Sequence, residues 1–128
     1  MIDGAHVRRW LDGYRQAWLS YDPAAIGDLF TEDAEYHEDP FEPPLVGSNA
    51  LRAYLLEAAE AQDQVEVTME RHWVVGDTAL AVWHASFVRV PDRTRVRLAG
   101  FMTLETAGDG RVRRFREWWH RRETAATG

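Results

Sequence analysis

The sequence lacks cysteine and lysine, and its 128 residues carry a formal net charge of −6. Without cysteine, the chain has no disulfide, no thiolate metal ligand and no cysteine nucleophile, and a reducing compartment is permitted. All 15 cationic residues are arginines. A chain with an acidic balance is poorly suited to holding a phosphate backbone, so no nucleic-acid partner is expected. The arginines between Arg111 and Arg122 are interpreted as the outer face and end of a strand.

Long apolar runs are also missing. No window approaches the ~18 apolar residues that a membrane span needs, so no membrane partner is expected. Residues 1–14 lack the continuous apolar stretch of a signal peptide, which favours a cytoplasmic location. The sequence has no glycine-rich phosphate loop and no GxSxG or GxGxxG motif, so nothing predicts nucleotide binding or serine hydrolysis. It does have 45% apolar residues and six tryptophans, enough for a core or the walls of a pocket.

The first half of the chain has helical periodicity. Apolar side chains recur at steps of three and four, which predicts a first helix with one buried face. That face comprises Val7, Trp10, Leu11, Tyr14, Ala17, Trp18 and Tyr21. Asp22 followed by Pro23 predicts the start of a second, short helix. Ser48 is predicted to cap a third helix, with Leu51, Tyr54, Leu55 and Ala58 on its inner face.

The second half of the chain has the alternation of β-strands. Four strands are predicted, at about 64–75, 78–90, 94–106 and 111–121. Turn residues separate them, so consecutive strands should form antiparallel hairpins. Helices followed by strands predict the α+β class, and the chain's length is typical of one domain over residues 1–128.

A proline-rich loop carries the most specific pattern. The segment DAEYHEDPFEPPLVG, residues 33–47, combines with Tyr14 and with GRVRRFREWW at 110–119. This arrangement resembles the nuclear transport factor 2-like superfamily, and within it the SnoaL-like polyketide cyclase and ketosteroid isomerase-like branches. The resemblance implies a cone in which three N-terminal helices pack on a strongly curved antiparallel sheet and enclose a pocket for a small apolar molecule. It also implies a homodimer through the outer sheet face and no cofactor.

The resemblance also implies catalytic residues. Tyr14 takes the place of a tyrosine that donates a hydrogen bond to a substrate oxyanion. Asp39 matches the Asp-Pro-Phe motif of the base, whereas counting without gaps from Asp33 to Gly47 puts Glu38 there instead. Neighbouring side chains of an extended segment point in opposite directions, so only one of the two should face the cavity, and Asp39 is favoured. Met102 replaces an acid that donates a second hydrogen bond, so familiar steroid isomerisation is not expected.

Two further polar residues are predicted on the inner face of the sheet. The apolar face of the third long strand, from Val96 to Leu104, should look inward. By family register, the strand before it should direct Leu80, Val82, His84, Ser86 and Val88 inward. The last strand should direct Phe115, Glu117 and Trp119 inward. His84 and Glu117 would then be titratable groups in an apolar cavity, which makes both candidate catalytic residues.

Aromatic residues should form most of the pocket wall. The predicted substrate-binding residues are Trp18, Phe30, Tyr36, Phe41, Tyr54, Leu98, Met102, Phe115 and Trp119. The remaining tryptophans of the sheet, Trp73, Trp83 and Trp118, are predicted on the outer face, where they would suit dimerisation. No metal ligand is predicted, because the adjacent side chains of residues 37–39 converge poorly on one ion.

Three functional hypotheses follow. The first is a cofactor-free isomerase, cyclase or lyase that acts on an apolar cyclic or polyketide-like carbonyl compound by proton transfer between acid and base. The second is a module that binds or senses an apolar ligand without changing it, which the methionine at position 102 motivates. The third is an interaction domain that uses its outer sheet, although nothing in the sequence demands it.

Overall fold

The structure is a computed structural model that describes residues 2–125. Its helices are α1 (Gly4–Leu19), α2 (Pro23–Leu29) and α3 (Ser48–Ala61). Its strands are β1 (Phe30–His37), β2 (Leu45–Val46), β3 (Gln62–Val75), β4 (Thr78–Arg89), β5 (Thr94–Thr106) and β6 (Val112–Thr124). The predicted α+β class and the four long strands are confirmed, because the turn residues and the two periodicities act locally.

One sheet contains all these strands, in the order β2-β1-β6-β5-β4-β3. Strands β3 to β6 form an antiparallel meander, but β1 pairs with β6 in parallel. The four predicted strands pair antiparallel as expected, and the parallel pairing of β1 with β6 makes the whole sheet mixed. A parallel pair needs a long crossover connection, which α3 and the strands β3 to β5 supply here.

Helices α1 and α2 begin where their capping residues predict, whereas α3 begins at Ser48 itself, with Gly47 as its N-cap and no side-chain cap hydrogen bond. The Asp3 carboxylate accepts a hydrogen bond from the His6 backbone N–H at 2.8 Å, and the Asp22 carboxylate accepts one from Ala24 at 3.0 Å. Pro23 occupies the first turn of α2, where its missing N–H costs nothing. The inner face of α1 is buried at Val7, Trp10, Leu11, Tyr14 and Ala17. This face closes one side of the sheet and fixes the position of Tyr14.

Strand β4 faces the opposite way from the prediction. Its buried side chains are Ala79, Ala81, Trp83, Ala85, Phe87 and Val88. The pairing with β5 fixes the orientation of β4. Trp83 lies opposite Gly100 and Ala81 lies opposite Met102. Paired residues have their side chains on the same face of a sheet. Met102 is inward as predicted, so Trp83 must be inward too, and His84 is directed outward. A register difference of one residue is enough to exchange the two faces of a strand.

Gly100 leaves the space that the Trp83 indole occupies. A Cβ atom at Gly100 would lie 2.3 Å from two ring carbons of Trp83, which is itself 1% exposed. Because the buried ring has little room to move, Gly100→Ala is expected to lower the free energy of unfolding by ~1–3 kcal/mol, the usual cost of overpacking. Urea denaturation measures this change. Gly108→Ala is the matched control, because a Cβ there meets nothing within 4 Å. Equal midpoints for the two variants would contradict the packing argument.

Candidate active site

A chamber of about 210 Å³ lies between the helices and the inner face of the sheet. Helices α1 and α3 contribute one side of its wall, and strands β1, β3, β4, β5 and β6 contribute the other. Its lining residues are Tyr14, Trp18, Tyr36, Tyr54, Leu55, Ala58, Gln62, Trp83, Phe87, Val96, Leu98, Glu117, Trp119 and Arg121. The wall is therefore largely aromatic and contains one carboxyl group, that of Glu117.

Two tyrosines connect α1 to this carboxyl group. The Tyr36 hydroxyl donates a hydrogen bond to Glu117 Oε1 at 3.1 Å, and the Tyr14 and Tyr36 hydroxyl oxygens lie 3.0 Å apart. Because the single hydroxyl proton of Tyr36 is directed to Glu117, Tyr14 is the donor to Tyr36. Within residues 2–125 the second oxygen of Glu117, Oε2, has no hydrogen-bond partner.

An aromatic core behind the chamber holds these tyrosines in place. The Phe115 and Tyr36 rings are stacked, with centroids 4.4 Å apart and planes 2° apart, and Trp10 stacks on Tyr14 at 5.3 Å. Phe30 completes this cluster. Close packing on several sides leaves each ring one position, so the hydroxyl groups are directed at Glu117 before a ligand binds.

Burial keeps Glu117 neutral at pH 7. Its side chain is 6% exposed, and the loss of water raises the pKa of Glu117 to about 8. The hydrogen bond from Tyr36 lowers the pKa of Glu117, whereas the negative charge of Glu38 raises it further. Burial also raises the pKa of the Tyr14 and Tyr36 hydroxyls, and the Glu117 charge raises both further. The chamber therefore offers a protonated carboxyl group in an apolar surrounding.

Glu38 is the acid of the proline-rich loop that approaches the chamber. It is half-buried and accepts a hydrogen bond from the hydroxyl of Tyr54, a chamber residue. Asp39 is exposed, and its carboxylate instead accepts the Phe41 backbone N–H at 2.9 Å. Of the two neighbours, Glu38 contacts a chamber residue and Asp39 does not, which favours Glu38 over the predicted Asp39 as the acid near the chamber. The Asp-Pro-Phe sequence forms a local turn in which the aspartate satisfies the backbone.

Several predicted site residues lie elsewhere. His84 is exposed on the outer face, where its Nε2 lies 3.0 Å from Glu70 Oε2, because β4 is turned over relative to the prediction. Phe41 is 92% exposed, since the loop turn directs it to solvent. Three predicted wall residues are fully buried in the core instead of lining the chamber, because neighbouring rings and strands cover them; they are Phe30, Met102 and Phe115.

The structure brings together seven of the predicted residues in or beside the chamber, and their part in binding stays a prediction. They are Tyr14, Trp18, Tyr36, Tyr54, Leu98, Glu117 and Trp119. Sequence reasoning missed Trp83, which it placed outside, and Gln62, whose Oε1 accepts the Trp18 indole N–H at 2.8 Å. The polar residues Thr78, His84 and Ser86 share one face of β4, and that signal could have placed Trp83 inward.

Neither a metal-ligand cluster nor a membrane-spanning helix is found in the part of the chain that the structure describes. Between residues 2 and 125 no three His, Asp or Glu side chains are placed to hold one metal ion. No helix in that range is both long and apolar enough to cross a membrane.

The architecture assigns the chain to a class. Three helices packed on a six-stranded mixed sheet that stays open at its edges form the cone fold of the nuclear transport factor 2-like superfamily. Within this class, the family model of the SnoaL-like domain matches residues 7–115, and the chain belongs to that family. The resemblance stated from the loop and from Tyr14 is thereby confirmed at the level of family and fold.

Solved structures of low sequence identity share the fold. The Δ5-3-ketosteroid isomerase from Mycobacterium sp. is 15% identical, with a TM-score of 0.78 and coverage of 93% of this chain and 98% of that one. SalBIII, an epoxide hydrolase/cyclase-like enzyme of pyran ring formation in salinomycin, is 21% identical, with a TM-score of 0.80 and coverage of 94% and 95%. An epoxide hydrolase from M. tuberculosis is 18% identical, with a TM-score of 0.75 and coverage of 91% and 84%. No curated protein matches the chain.

Proposed function

We propose that this protein is a cofactor-free isomerase, cyclase or lyase that transfers a proton to and from a small apolar ring compound in the chamber. One observation carries the proposal: Glu117 lines the chamber and is neutral at pH 7, while its Oε2 has no hydrogen-bond partner within the described part of the chain. A carboxylic acid with a pKa near the working pH is an effective proton donor and, once ionised, an effective acceptor.

A second carboxyl group supplies the complementary base. Glu38 lies in a more solvated setting than Glu117, and the two charges interact, which contributes to the raised pKa of Glu117. Two carboxyl groups with different surroundings divide the roles of acid and base at one pH. Tyr54 holds Glu38 by a hydrogen bond and also lines the chamber, so it connects the base to the ligand site.

The chamber volume limits the ligand. Its 210 Å³ is below the ~300–1,000 Å³ that is typical of pockets for drug-sized ligands. An apolar cavity of ~150 Å³ holds one benzene ring. A compound of one or two rings therefore fits, and a four-ring steroid does not. Because the wall is aromatic apart from a few polar groups, the ligand should be apolar with an oxygen directed at Glu117.

The structural neighbours support this proposal at a coarser level. Among the proteins that share the fold are a ketosteroid isomerase and an epoxide hydrolase/cyclase-like enzyme, which belong to the proposed range of activities. At these sequence identities the likeness concerns the fold, and one fold supports many reactions. The residues of the chamber therefore carry the functional argument.

Matched variants of the two neighbouring acids test the proposal. The protein is incubated with one- and two-ring enones, epoxides and hydroxy ketones, and products are detected by mass spectrometry. For any substrate that is converted, Glu38→Gln is expected to reduce kcat/KM by ~100-fold or more, the usual contribution of a general base. Asp39→Asn makes the same charge change next to it and should leave turnover within about twofold, since Asp39 is exposed. An equal loss in both variants would contradict the assignment of the base.

A binding or sensing module is the second candidate function. The observation that favours it is the commitment of the Tyr14 and Tyr36 hydroxyl protons within the protein, since neither is then free for a substrate oxyanion. Met102 is fully buried and offers no donor in their place. Native mass spectrometry of the purified protein distinguishes the candidates: a retained ligand that the protein leaves chemically unchanged supports the module over the enzyme.

A homodimer through the outer sheet face is the proposed assembly. Trp73, Phe101 and Trp118 are 38%, 37% and 43% exposed, an unusual amount of aromatic surface for one face. Trp118→Arg is therefore expected to convert a dimer into a monomer, because it would bury a charge in the interface. Sedimentation velocity measures the state. Leu56→Arg, on the exposed side of α3, is the control and should stay dimeric. A monomeric wild type would contradict the proposed assembly.

A further inference from the structure

A second cavity, the outer cavity, lies on the face of the sheet that is directed away from the chamber. Its volume is about 480 Å³, and strands β3, β4, β5 and β6 form its floor. Polar side chains of the outer face line it, namely Thr68, His84, Ser86, Arg97, His120 and Arg122. Its composition therefore differs from that of the aromatic chamber, and it suits a polar ligand.

Two arginines lie side by side in the outer cavity. Arg97 on β5 pairs directly with Arg122 on β6, so both side chains leave the same face of the sheet. The Cβ atoms of directly opposite residues in an antiparallel pair are ~4.5–5.5 Å apart, and like charges in this arrangement destabilise a sheet. Arg121 also lines this cavity, as well as the chamber, and adds a third positive charge. An anion between the arginines would remove their repulsion.

Within residues 2–125 neither Arg97 nor Arg122 has an acidic partner. Other arginines of the structure do form ion pairs with aspartate or glutamate; they are Arg89, Arg93, Arg111, Arg113 and Arg114. Glu66, the acid in the wall of the cavity, lies two strands away from Arg97. The nearby Glu70 is committed to His84, whose Nε2 lies 3.0 Å from its Oε2. The positive charges of the cavity are therefore available to a ligand.

Neutral hydrogen-bonding groups surround the two arginines. Ser86 lies opposite Arg97 on β4, and its half-buried hydroxyl has no hydrogen-bond partner in the part of the chain that the structure describes. In the next row of the sheet, His84 and His120 lie on either side of Ala99. Because Ala99 has a small side chain, the floor between the two imidazole rings is low. The cavity thus combines charged donors, a hydroxyl and two imidazoles around one open space.

These donors suit an anion with several oxygens around one centre. A guanidinium can donate two parallel hydrogen bonds to a phosphate, and it is more weakly hydrated than an ammonium. A phosphate group has enough oxygens for Arg97, Arg122 and Ser86 at once, whereas the two oxygens of a carboxylate would have to be shared among them. We propose that Arg97 and Arg122 bind a phosphate group in the outer cavity, carried by inorganic phosphate or by a small phosphate monoester.

The phosphate site is separate from the other proposed sites. It lies across the sheet from the carboxyl group of Glu117, so it does not depend on the proposed proton transfer. Arg97 and Phe101 are four residues apart on β5, a distance of ~13 Å along a strand. The site therefore lies beside the aromatic contact proposed for the dimer, which includes Phe101 and Trp118.

Calorimetric titration of the full chain with inorganic phosphate tests the inference, with sodium chloride of the same ionic strength as the reference. Arg97→Gln and Arg122→Gln are each expected to reduce the affinity for phosphate by ~10-fold or more, because each removes charge-assisted hydrogen bonds. Arg116→Gln is the matched control. Arg116 is exposed on the same strand and the same face, six residues before Arg122 and outside the cavity, so its variant should bind phosphate within about twofold of the wild type.

A second titration distinguishes the two sources of the phosphate group. Phenyl phosphate is compared with inorganic phosphate, and phenol is the control for the ring alone. Binding of phenyl phosphate ~10-fold or more tighter than that of inorganic phosphate would support a monoester as the ligand. Equal affinities would support the free ion.

Thermal unfolding gives a measurement that a merely structural arginine would not reproduce. Without phosphate, Arg97→Gln should be at least as stable as the wild type, because the substitution removes one of two like charges. Phosphate should raise the Tm of the wild type and leave that of Arg97→Gln nearly unchanged, since only a protein that binds the ligand is stabilised by it. A variant that loses stability in the absence of phosphate would contradict the inference.

Three results would overturn the phosphate site. The first is that the wild type binds no phosphate beyond the chloride reference. The second is that Arg97→Gln and Arg116→Gln weaken binding equally, which would indicate general attraction to the surface. The third is that Arg97→Gln and Arg122→Gln dissociate a dimer and leave phosphate binding unchanged, so that the arginines contact a second copy of the chain. None of these results concerns turnover in the chamber, which the variants of Glu38 and Glu117 test separately.

Discussion

Glu117→Gln is expected to be more stable than the wild type at alkaline pH, by about 4 kcal/mol at pH 8 and about 5 kcal/mol well above it. The carboxyl group has an ordinary pKa of 4.5 in the unfolded chain, and burial raises the pKa of Glu117 to about 8 in the folded protein. Between these values the folded state keeps a proton that the unfolded state has released. Stability therefore falls as pH rises, by ~1.4 kcal/mol per pH unit for this group.

The sign of this effect follows from where the proton is bound. The contribution of Glu117 is fully present below about pH 4.5, where both states are protonated, and it is lost as pH rises through about 8. Glutamine stays neutral throughout, and its amide oxygen can still accept the hydrogen bond of Tyr36. The variant should therefore lack this part of the pH dependence.

Urea unfolding at a series of pH values measures the difference. The wild type and Glu117→Gln should have similar stabilities near pH 4.5 and should diverge towards pH 8. Asp39→Asn removes an exposed acid two residues from the β1 strand and should follow the wild-type curve. Parallel curves for Glu117→Gln and the wild type would show that Glu117 is ionised in the folded protein, and the acid role would then be lost.

Glu117→Gln is also expected to reduce kcat/KM by ~10²–10⁴-fold, the range that general acid–base catalysis contributes. Wild-type kcat/KM should fall as pH rises through about 8, because only the protonated form of Glu117 can give a proton to the ligand oxygen. Glu117→Gln has no such proton, so its residual activity should lack this alkaline limb. Ligand affinity for neutral compounds should change little, because glutamine fills the same space.

A pH–rate profile of the wild type and the variant checks this expectation. Loss of the alkaline limb together with the loss of rate would support Glu117 as the acid. If Glu117→Gln kept the fall in kcat/KM above pH 8, another group would be responsible for that fall. If the variant kept the wild-type kcat/KM, Glu117 would have no part in the reaction. Higher stability with lower activity would be the usual behaviour of a residue whose burial serves function at a cost to folding.

Local patterns in the sequence determined the elements of the fold. The apolar steps of α1 placed Tyr14 on the inner face, and Asp22 with Pro23 marked the start of α2. The alternation of β5 placed Met102 inward, and the register of the resembling family placed Glu117 inward. These predictions succeeded because periodicity and capping depend on residues within a few positions of each other. The family could be named for the same reason, since its most specific motif is one continuous loop.

Tertiary structure alone decided which residues share the chamber. The orientation of β4 depends on its register with β5, and the pair Trp83 and Gly100 fixes it across the sheet. The contact of Glu38 with the chamber wall depends on Tyr54, which comes from a helix after the loop. The parallel pairing of β1 with β6 brings Tyr36 beside Glu117 from 81 positions away in the chain. Contacts between distant segments form only when the whole chain is packed, so a local pattern does not contain them.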